Sequence, residues 1–478
     1  MLGKSKPLVL DVDGTFLRTD MLFESFWAGM GRDPMATLRI VKSTFGDKAA
    51  LKAQLADLAR PRVDLMPVEP SVEPMVEAAR QQGVEIVLAS ASDYALVTEL
   101  AAAHEFSPRV FASKGNVNLR GEAKAQALVE AYGPRGFHYA GNETTDLAIW
   151  RQADEAIIVG HVPGARNELI ADHGVTELAG GWRWLDLARA LRPHQYVKNV
   201  LLLLPLIAAH QFGLIPFLTI LLAIVAFSAA ASCIYIVNDL LDLEADRLHI
   251  KKKNRPFASG AVPISVGMVT CAGLGVLALG VAASLNWAFF GIIVLYMSLS
   301  LAYSLRLKRL RWIDIATLAA LYTIRVVAGA TAAEIFVSGY MLVFIFPVFL
   351  TLGCVKRLTE LTLAETDERL PGRGYGKPDR SDLMNVACIG MFAALLVFFM
   401  YSFTEQALTL YRTQWLLWVA MVPIAGWLWR MVSLGYKGKQ DHDPIVFALK
   451  DRHGLSLIIF TVTIMFYAAG LFENAFGG

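Results

Sequence analysis

An apolar run long enough to cross a lipid bilayer, residues 215–237, ends in the acidic stretch NDLLDLEAD, residues 238–246. At about 100° per residue, Asn238, Asp242 and Asp246 fall at roughly 0°, 40° and 80° around a helix, which is a single stripe. A stripe of hard oxygen ligands suits Mg²⁺ that carries a diphosphate, because Mg²⁺ is bound through one or two carboxylates plus phosphate oxygens. Acids at a membrane edge are costly unless a positive group binds them.

A basic cluster follows the acidic stretch at once: Lys251, Lys252, Lys253 and Arg255. Acids that hold a metal, followed by bases that hold phosphate, predict a diphosphate site at the membrane surface. The alternative is a solvated charged loop that obeys the positive-inside rule. That alternative does not explain why Asp242 and Asp246 share the stripe of Asn238 while Glu244 points elsewhere.

The composition is that of a membrane protein with a soluble part. Of 478 residues, 55% are hydrophobic, and the length exceeds one typical domain. A net charge of +2 gives no basic footprint for nucleic acid. No signal-peptide pattern is visible, so we expect the N-terminal part to stay in the cytoplasm. The four cysteines lie in apolar runs without metal-ligand spacing, which indicates small buried hydrophobes: Cys233, Cys271, Cys354 and Cys388.

Hydropathy changes character near residue 190. Before it, short apolar runs alternate with helical patterns, which predicts buried parallel strands in a Rossmann-like α/β domain over residues 1–165, with a helical cap at about 20–70. Those runs are 8–10, 86–88, 110–112 and 157–159. Residues 166–192 are interpreted as a linker, in which 182–191 form either an interfacial amphipathic helix or an ordinary linker helix.

Residues 193–478 predict an all-α polytopic membrane domain of about nine transmembrane helices. The expected spans are roughly 197–211, 215–237, 263–284, 287–305, 313–332, 339–357, 384–404, 413–433 and 454–475. If the N-terminal domain is cytoplasmic, the inner loops collect Lys and Arg while the outer loops contain almost only Arg412. This bias predicts a bacterial-type cytoplasmic membrane protein with residues 238–246 on the inner side and the C-terminus outside.

The stretch DVDGT, residues 11–15, follows the first predicted strand. Residues i and i+2 share a face in an extended chain, so Asp11 and Asp13 meet at the C-terminal end of a strand, where α/β sheets bind ligands. One carboxylate can attack phosphorus, and the other can pass a proton to and from the leaving group.

This motif resembles the first motif of haloacid dehalogenase-like phosphatases, and the resemblance covers about residues 7–160. It implies that Asp11 is the nucleophile and Asp13 the general acid/base. It also implies that Ser90 binds the phosphoryl oxygen and that Lys124 neutralises charge.

The fourth motif of that family is altered, because Asn142 in GNETTD, residues 141–146, replaces the usual metal-binding carboxylate. The resemblance still implies a Mg²⁺ site at Asp11, Asp13, Asn142 and Asp146, with Glu143 as another candidate. A degenerate, non-hydrolytic domain is the alternative.

The pattern NDxxDxxxD resembles the acidic motif of UbiA-type intramembrane prenyltransferases, which are all-helical, with nine spans and a polar cavity facing the cytoplasm. Their second acidic motif is usually DxxxD. Here the corresponding stretch, residues 354–361, reads CVKRLTEL. A Lys-Arg pair in place of acids favours a substrate with more phosphate to neutralise.

Within that superfamily, residues 188–475 resemble decaprenyl-phosphate phosphoribosyltransferases. The similar segments are 191–200, 254–260, 303–308 with Asp314, and 356–361. The resemblance implies Mg²⁺-dependent transfer of 5-phosphoribose from 5-phosphoribosyl diphosphate to a polyprenyl phosphate. Asn238, Asp239, Asp242 and Asp246 would coordinate Mg²⁺ and the leaving diphosphate. The other substrate-binding residues would be Lys198, Asn199, Arg247, Lys252, Arg255, Tyr303, Lys308, Lys356, Arg357 and Glu360.

Both halves would then handle phosphate, which predicts that the N-terminal domain dephosphorylates the lipid-linked ribose 5-phosphate; a scaffolding role is the alternative. An aromatic prenyltransferase and a transporter or lipid-binding protein remain competing classes. Any single Lys or Arg at a span end is often only a snorkelling anchor. Arg325, near mid-membrane, serves either function or a structural ion pair. The sequence leaves open the polyprenyl length and whether the chain forms a homo-oligomer.

Overall fold

The computed structural model describes residues 6–115, 118–170, 174–336, 338–364, 369, 373–440 and 443–472. The chain divides into two compact units. The first unit comprises Met1–Leu191 and Tyr235–Ala272, and the second comprises Arg192–Ile234 and Gly273–Gly478.

Six parallel strands form one sheet in the first unit, in the order β3-β2-β1-β4-β5-β6. The strands are β1 (Leu8–Leu10), β2 (Ile86–Asp93), β3 (Val110–Ser113), β4 (His138–Gly141), β5 (Glu155–Val159) and β6 (Gly174–Leu178). Leu8 and Leu10 pack into one hydrophobic cluster and Val9 into another, because successive side chains of a strand point to opposite faces. The predicted doubly wound α/β layout is confirmed.

Helices cover both faces of the sheet and form the cap. The cap helices between β1 and β2 are α1 (Met21–Arg32), α2 (Pro34–Ser43) and α3 (Lys48–Ala59). Each begins after an aspartate, Asp20, Asp33 or Asp47, whose carboxylate accepts backbone N–H bonds of the first turn. The others are α4 (Glu73–Gln81), α5 (Tyr94–Ala103), α6 (Glu122–Tyr132), α7 (Leu147–Trp150), α8 (Ala165–Leu169) and α9 (Trp184–Ala190).

Two strands were not predicted. β4 is only four residues long and begins with His138, and β6 is an edge strand with exposed and half-buried positions. β6 lies inside the stretch 166–192 that the sequence suggested as a linker, and it pairs with β5 from Glu155 to Val159. An edge strand needs only one apolar face, so its sequence looks like a polar connector.

Seven helices of the described chain are long and apolar enough to cross a membrane. The long helices are α11 (Leu214–Leu241), α13 (Ile264–Leu285), α14 (Trp287–Leu305), α15 (Ile313–Ala332), α16 (Gly339–Thr362), α17 (Arg380–Tyr401) and α19 (Trp415–Tyr436). Short helices complete the set: α10 (Leu204–Ala208), α12 (Leu243–Leu248), α18 (Glu405–Leu410), α20 (Pro444–Lys450) and α21 (Arg452–Ala468). A polytopic all-α membrane part is therefore confirmed, and the predicted number of spans was approximate.

The first and last predicted spans account for the difference. The first, 197–211, is a 3-10 helix over Pro193–Leu203 followed by the short α10, which has Pro205 in its first turn. The last, 454–475, corresponds to the 17-residue α21, and its final residues lie outside the described part of the chain.

Small residues let backbones of the second unit approach closely. A Cβ added to Gly329 of α15 would lie 2.0 Å from the Leu202 carbonyl oxygen, and one added to Gly390 of α17 would lie 2.5 Å from Thr351 Oγ1. Close backbone contact at glycine is a common way to pack transmembrane helices, since burial of apolar surface gives little driving force in lipid.

Candidate functional site

Asp11 follows the central strand β1 and meets Lys124 of α6. Lys124 Nζ lies 2.7 Å from Asp11 Oδ1, and both side chains are nearly fully buried. Burial raises the pKa of Asp11 to about 7 against the lowering effect of Lys124. The predicted nucleophile and the predicted neutralising lysine therefore form one buried pair at the carboxyl end of the sheet.

Asp13 is held by three donors. Its Oδ1 accepts the Met21 N–H at 2.8 Å, and its Oδ2 accepts the Ser90 and Ser92 hydroxyls at 3.3 and 2.6 Å. Burial, followed by the nearby Asp13 carboxylate, raises the pKa of Asp20 to about 7. Ser90, predicted to bind the phosphoryl oxygen, thus lies beside Asp13, and Ser92 is a second hydroxyl partner that the sequence did not indicate.

Asn142 offers an oxygen to a metal at this site. The buried Asn142 Oδ1 has no hydrogen-bond partner among the described residues. Asp146 was predicted as a Mg²⁺ ligand, but both its oxygens already accept hydrogen bonds. Its Oδ1 accepts from the Tyr139 hydroxyl, and its Oδ2 accepts from the backbone N–H groups of Asn142 and Glu143. Asp146 therefore holds the loop in place, while Asp11 and the orphaned Asn142 oxygen fit a Mg²⁺ ion that takes few protein ligands.

The acidic stretch lies in the first unit, where the helix is interrupted at Asp242 between α11 and α12. Arg255 Nη1 lies 3.1 Å from Asp239 Oδ1 and 2.7 Å from Asp246 Oδ2, and both carboxylates are buried. The expected stripe named Asn238 rather than Asp239 as the partner of Asp246. Residues seven apart also return to one face of a helix, and this spacing could have identified the Asp239–Asp246 pair.

The groups around Arg255 fit a divalent cation. Two buried carboxylates, those of Asp239 and Asp246, share the single positive charge of the Arg255 guanidinium. The buried Asn238 Oδ1 has no hydrogen-bond partner within the described part of the chain. Burial raises the pKa of Asp246, and the Asp242 carboxylate adds to that effect against Arg255 and Lys252. No group of three or more His, Cys, Asp or Glu among the described residues could hold a metal unaided. A substrate diphosphate would supply the missing oxygens.

Arg247, predicted to contact phosphate, is instead paired with Glu24 of α1. Its Nη2 lies 2.5 Å from Glu24 Oε1, and the two side chains are 7% and 4% exposed. A buried guanidinium that is already paired is not free to bind a phosphate.

A polar network in the second unit surrounds Arg357, which is fully buried. Its Nε and Nη2 donate to Asp314 at 2.5 and 2.9 Å, its Nη2 also donates to the Tyr303 hydroxyl at 3.1 Å, and its Nη1 pairs with Glu360. Arg373 Nη1 joins the same network, 2.9 Å from the Tyr303 hydroxyl and 3.2 Å from Asp314. Three predicted substrate-binding residues, Tyr303, Arg357 and Glu360, thus lie together, although Arg357 is fully buried and already paired. Arg373 was not among the predicted site residues.

Lys198 and Asn199 form a second polar region of the same unit. Lys198 pairs with Asp443, and the Lys198 and Lys356 ammonium groups hold the pKa of Asp443 at about 2 although burial raises it. Asn199 accepts a 3.3 Å bond from Arg325 Nε and donates to Ser228 at 2.8 Å.

Arg325 contacts mainly structural groups, namely a backbone carbonyl and aromatic rings. Its guanidinium donates to the Leu321 carbonyl at 2.7 Å and lies about 5 Å above the rings of Phe227 and Tyr296. Lys308 and Lys356 are half-buried, whereas Lys252 is exposed.

The chain belongs to the UbiA prenyltransferase family, which matches residues 199–460, more than half of the chain. An uncharacterised protein of Sinorhizobium fredii, y4nM, is 31% identical over 461 residues, or 93% of this chain and 88% of the relative. The decaprenyl-phosphate phosphoribosyltransferase of Mycobacterium tuberculosis is 32% identical over 271 residues, or 56% of this chain and 88% of that enzyme.

A solved UbiA homologue of Archaeoglobus fulgidus, bound to GPP and Mg²⁺, aligns with 60% of this chain and 99% of its own, at 15% identity and a TM-score of 0.46. The protein is a multi-pass membrane protein with a UbiA transferase part and an N-terminal part that resembles haloacid dehalogenase-like phosphatases.

Proposed function

We propose that the UbiA part transfers 5-phosphoribose from 5-phosphoribosyl diphosphate to a polyprenyl phosphate. The observation that carries this proposal is the similarity to the M. tuberculosis phosphoribosyltransferase along 88% of that enzyme's length. Lys356, half-buried in a Lys-Arg pair where the family usually has acids, supports it because the two substrates together bring four phosphate groups to neutralise.

The reaction breaks the bond between the anomeric carbon and the diphosphate oxygen, and an oxygen of the lipid phosphate forms the new bond to that carbon. Asn238, Asp239, Asp242 and Asp246 would hold Mg²⁺, which stabilises the negative charge of the departing diphosphate when bound. Arg255, released from Asp239 and Asp246, would then neutralise phosphate. Because the lipid phosphate is already an anion, the attack needs no strong general base.

A cavity in the second unit suits the lipid tail. It has a volume of about 590 Å³ and lies among α10, α16, α19 and α21. Its walls are mostly apolar and aromatic, including Leu204, Met341, Phe344, Phe349, Trp427 and Met465. A polyprenyl chain has no polar group to satisfy, so a wall of this chemistry supports an isoprenoid substrate.

We infer that the N-terminal part removes the 5-phosphate from the lipid-linked product. The Asp11 carboxylate would attack phosphorus while the ester oxygen leaves and takes a proton from Asp13, which its three donors hold in place. Water would then hydrolyse the aspartyl phosphate, with Asp13 taking its proton. Lys124 balances the charge of Asp11 throughout, and Mg²⁺ at Asp11 and Asn142 would neutralise the phosphoryl group.

The experiment is an assay of the purified full chain in liposomes with radiolabelled 5-phosphoribosyl diphosphate, a polyprenyl phosphate and Mg²⁺. We expect label in the lipid fraction, followed by release of inorganic phosphate. Labelled prenyl diphosphate with an aromatic acid is the competing substrate pair, and transfer from that pair alone would replace the proposal. Label transfer without phosphate release would support the transferase activity and contradict the proposed phosphatase step.

The orientation also belongs to the proposal. The loops rich in Lys and Arg, and the N-terminal unit, would face the cytoplasm of a bacterial inner membrane, where 5-phosphoribosyl diphosphate is available. Protease accessibility of the N-terminal unit in inverted vesicles, compared with intact cells, tests this orientation.

A further inference from the structure

A buried ion pair joins the cap helix α1 to the segment after the acidic stretch, and both lie in the first unit. Arg247 Nη2 lies 2.5 Å and Nη1 3.1 Å from the two carboxylate oxygens of Glu24. The Thr19 hydroxyl donates to Glu24 at 2.6 Å, and Arg247 Nε donates to the Ala258 carbonyl at 3.0 Å. The fork-shaped contact is bidentate, the strong geometry for a guanidinium and a carboxylate.

The backbone packs closely on either side of this pair. Gly260 has a φ of +68°, and a Cβ built on it would lie 2.5 Å from Arg18 Cβ and 3.0 Å from Pro67 Cγ. A Cβ on Gly31, near the end of α1, would lie 3.7 Å from the Leu241 carbonyl oxygen. We name residues 242–260 the acidic loop. Its last residue, Gly260, packs against Arg18 and Pro67, and Leu241, just before its start, lies near Gly31 of α1.

Because the pair is buried, breaking it costs more free energy than breaking an exposed pair. A charged group taken out of water is costly unless it is paired, and removal of one partner leaves the other uncompensated. Glu24 and Arg247 satisfy each other, Thr19 and Ala258 complete their hydrogen bonds, and neither side chain is more than 7% exposed. An ordinary exposed ion pair would have little effect on the position of either segment.

The same turn of α1 touches the phosphatase residues. Asp20 caps α1, and the Met21 N–H donates to Asp13 Oδ1 at 2.8 Å. Thr19, two residues earlier, donates to Glu24, which holds Arg247. Residues 19–24 thus contact the predicted acid/base of one reaction and the acidic loop of the other.

We propose that α1 positions the acidic loop, with Glu24 as a positioning residue that fixes Arg247 and, through it, the loop bearing Asp242, Asp246 and Arg255. Its functional consequence rests on the transferase activity proposed above, whereas its structural part does not. Arg247 then serves as a strut between cap and loop, and a loop that moves would hold the diphosphate of the donor less well.

Hydrogen exchange of the intact protein in lipid nanodiscs tests the structural part without any substrate. In Glu24→Gln, amide exchange over residues 243–260 should rise roughly tenfold or more, because a buried partner is left unpaired. Glu77→Gln, the same change at a half-exposed ion pair of α4, should behave as the wild type. The reversed pair, Glu24→Arg with Arg247→Glu, should restore much of the protection.

Arg247→Gln gives the same test from the other side if Glu24→Gln does not fold. Unchanged exchange over 243–260 in either folded single variant overturns the proposal, as does an equal rise in Glu77→Gln.

Kinetics test the consequence. Glu24→Gln should raise KM for 5-phosphoribosyl diphosphate while KM for the polyprenyl phosphate stays as in the wild type, since only the loop that binds diphosphate is loosened. A general loss of folding would change both constants together. If the wild type transfers no phosphoribose, the proposed function fails, while the exchange result still decides whether α1 positions the loop.

Discussion

At the scale of single residues, Arg255 supplies positive charge to the carboxylates that are proposed to bind Mg²⁺. Its Nη1 bridges the buried carboxylates of Asp239 and Asp246. In Arg255→Met the two carboxylates lose that cation, so a divalent ion should stabilise the variant more than the wild type. Thermal unfolding with Mg²⁺ plus inorganic diphosphate, which supplies the remaining oxygen ligands, and with a chelator measures the difference.

The control for that experiment is Arg306→Met, which alters an exposed arginine after α14. Its response to Mg²⁺ should equal that of the wild type. A Mg²⁺-dependent shift in Tm that is no larger in Arg255→Met than in the wild type would contradict a cation site at these acids.

Lys124 sets the charge state of the predicted nucleophile. Burial already raises the pKa of Asp11 to about 7, and Lys124 opposes that rise. In Lys124→Met the pKa of Asp11 should move higher, so at neutral pH more of the carboxyl is protonated and unable to attack phosphorus. We expect phosphate release to fall by about a hundredfold or more, while phosphoribosyl transfer continues.

Phosphate release by Lys124→Met is measured beside Lys42→Met, a change at an exposed lysine of α2. Full phosphatase activity in Lys124→Met would show that the buried pair is not part of a catalytic site.

Arg357 stabilises the second unit through a buried ion pair. It is fully buried with Asp314, which is fully buried too, and a buried pair that loses one partner costs about 3–5 kcal/mol. Arg357→Met should therefore unfold far more easily than the wild type in denaturant. Arg357→Lys should lie between the two, because lysine keeps the charge but not the fork that reaches Asp314 and Tyr303 together. Equal stability of the lysine variant and the wild type would contradict this account of the network.

At the scale of elements, α15 depends on a glycine. A Cβ at position 329 would lie 2.0 Å from the Leu202 carbonyl oxygen, so Gly329→Ala forces α15 away from the 3-10 helix of residues 193–203. We expect a loss of about 1–3 kcal/mol, the usual cost of overpacking. Gly291→Ala in α14 is the matched control, because no atom of the described chain outside its own helix lies within 4 Å of the added Cβ. A Tm equally unchanged in both variants would argue against this close contact.

Elements with an extreme pattern could be predicted from the sequence. β1 is three buried aliphatic residues, and each of the seven long helices contains a long apolar stretch, so length and hydropathy sufficed. β6 looked like a linker because it is an edge strand with a polar face. The stretch 197–211 looked like a span because hydropathy does not register that prolines 193 and 205 divide the backbone into a 3-10 helix and a short α10.

The candidate site could be predicted less completely. Motifs identified Asp11, Lys124, Tyr303 and Arg357, and the structure brings them into pairs. The partners across long sequence distances were not predictable, since Asp443 meets Lys198 and Glu24 meets Arg247 only through the tertiary fold. A residue type indicates that a charge needs a partner, but not which residue supplies it.

At the scale of the whole molecule, the two proposed activities share one chain. The S. fredii relative aligns with 93% of the chain, whereas the M. tuberculosis enzyme aligns with 56%, so the transferase part also exists without this N-terminal part. Tethering raises the effective concentration of the phosphatase near a membrane-bound product. Mixing Asp11→Asn protein with Asp242→Asn protein should therefore give slower phosphate release than the wild type at equal transferase concentration. Equal rates would show that the fusion gives no kinetic advantage.

The acidic stretch is the foundation of the enzyme assignment, and a single pair of substitutions addresses it. Lipid labelling from radiolabelled 5-phosphoribosyl diphosphate is measured for Asp242→Asn and for Glu244→Gln, an exposed acid two residues away. We predict that Asp242→Asn labels the polyprenyl phosphate at least about a hundredfold more slowly than the wild type, and that Glu244→Gln labels it normally. Undiminished labelling by Asp242→Asn would contradict a magnesium-diphosphate site at this stretch.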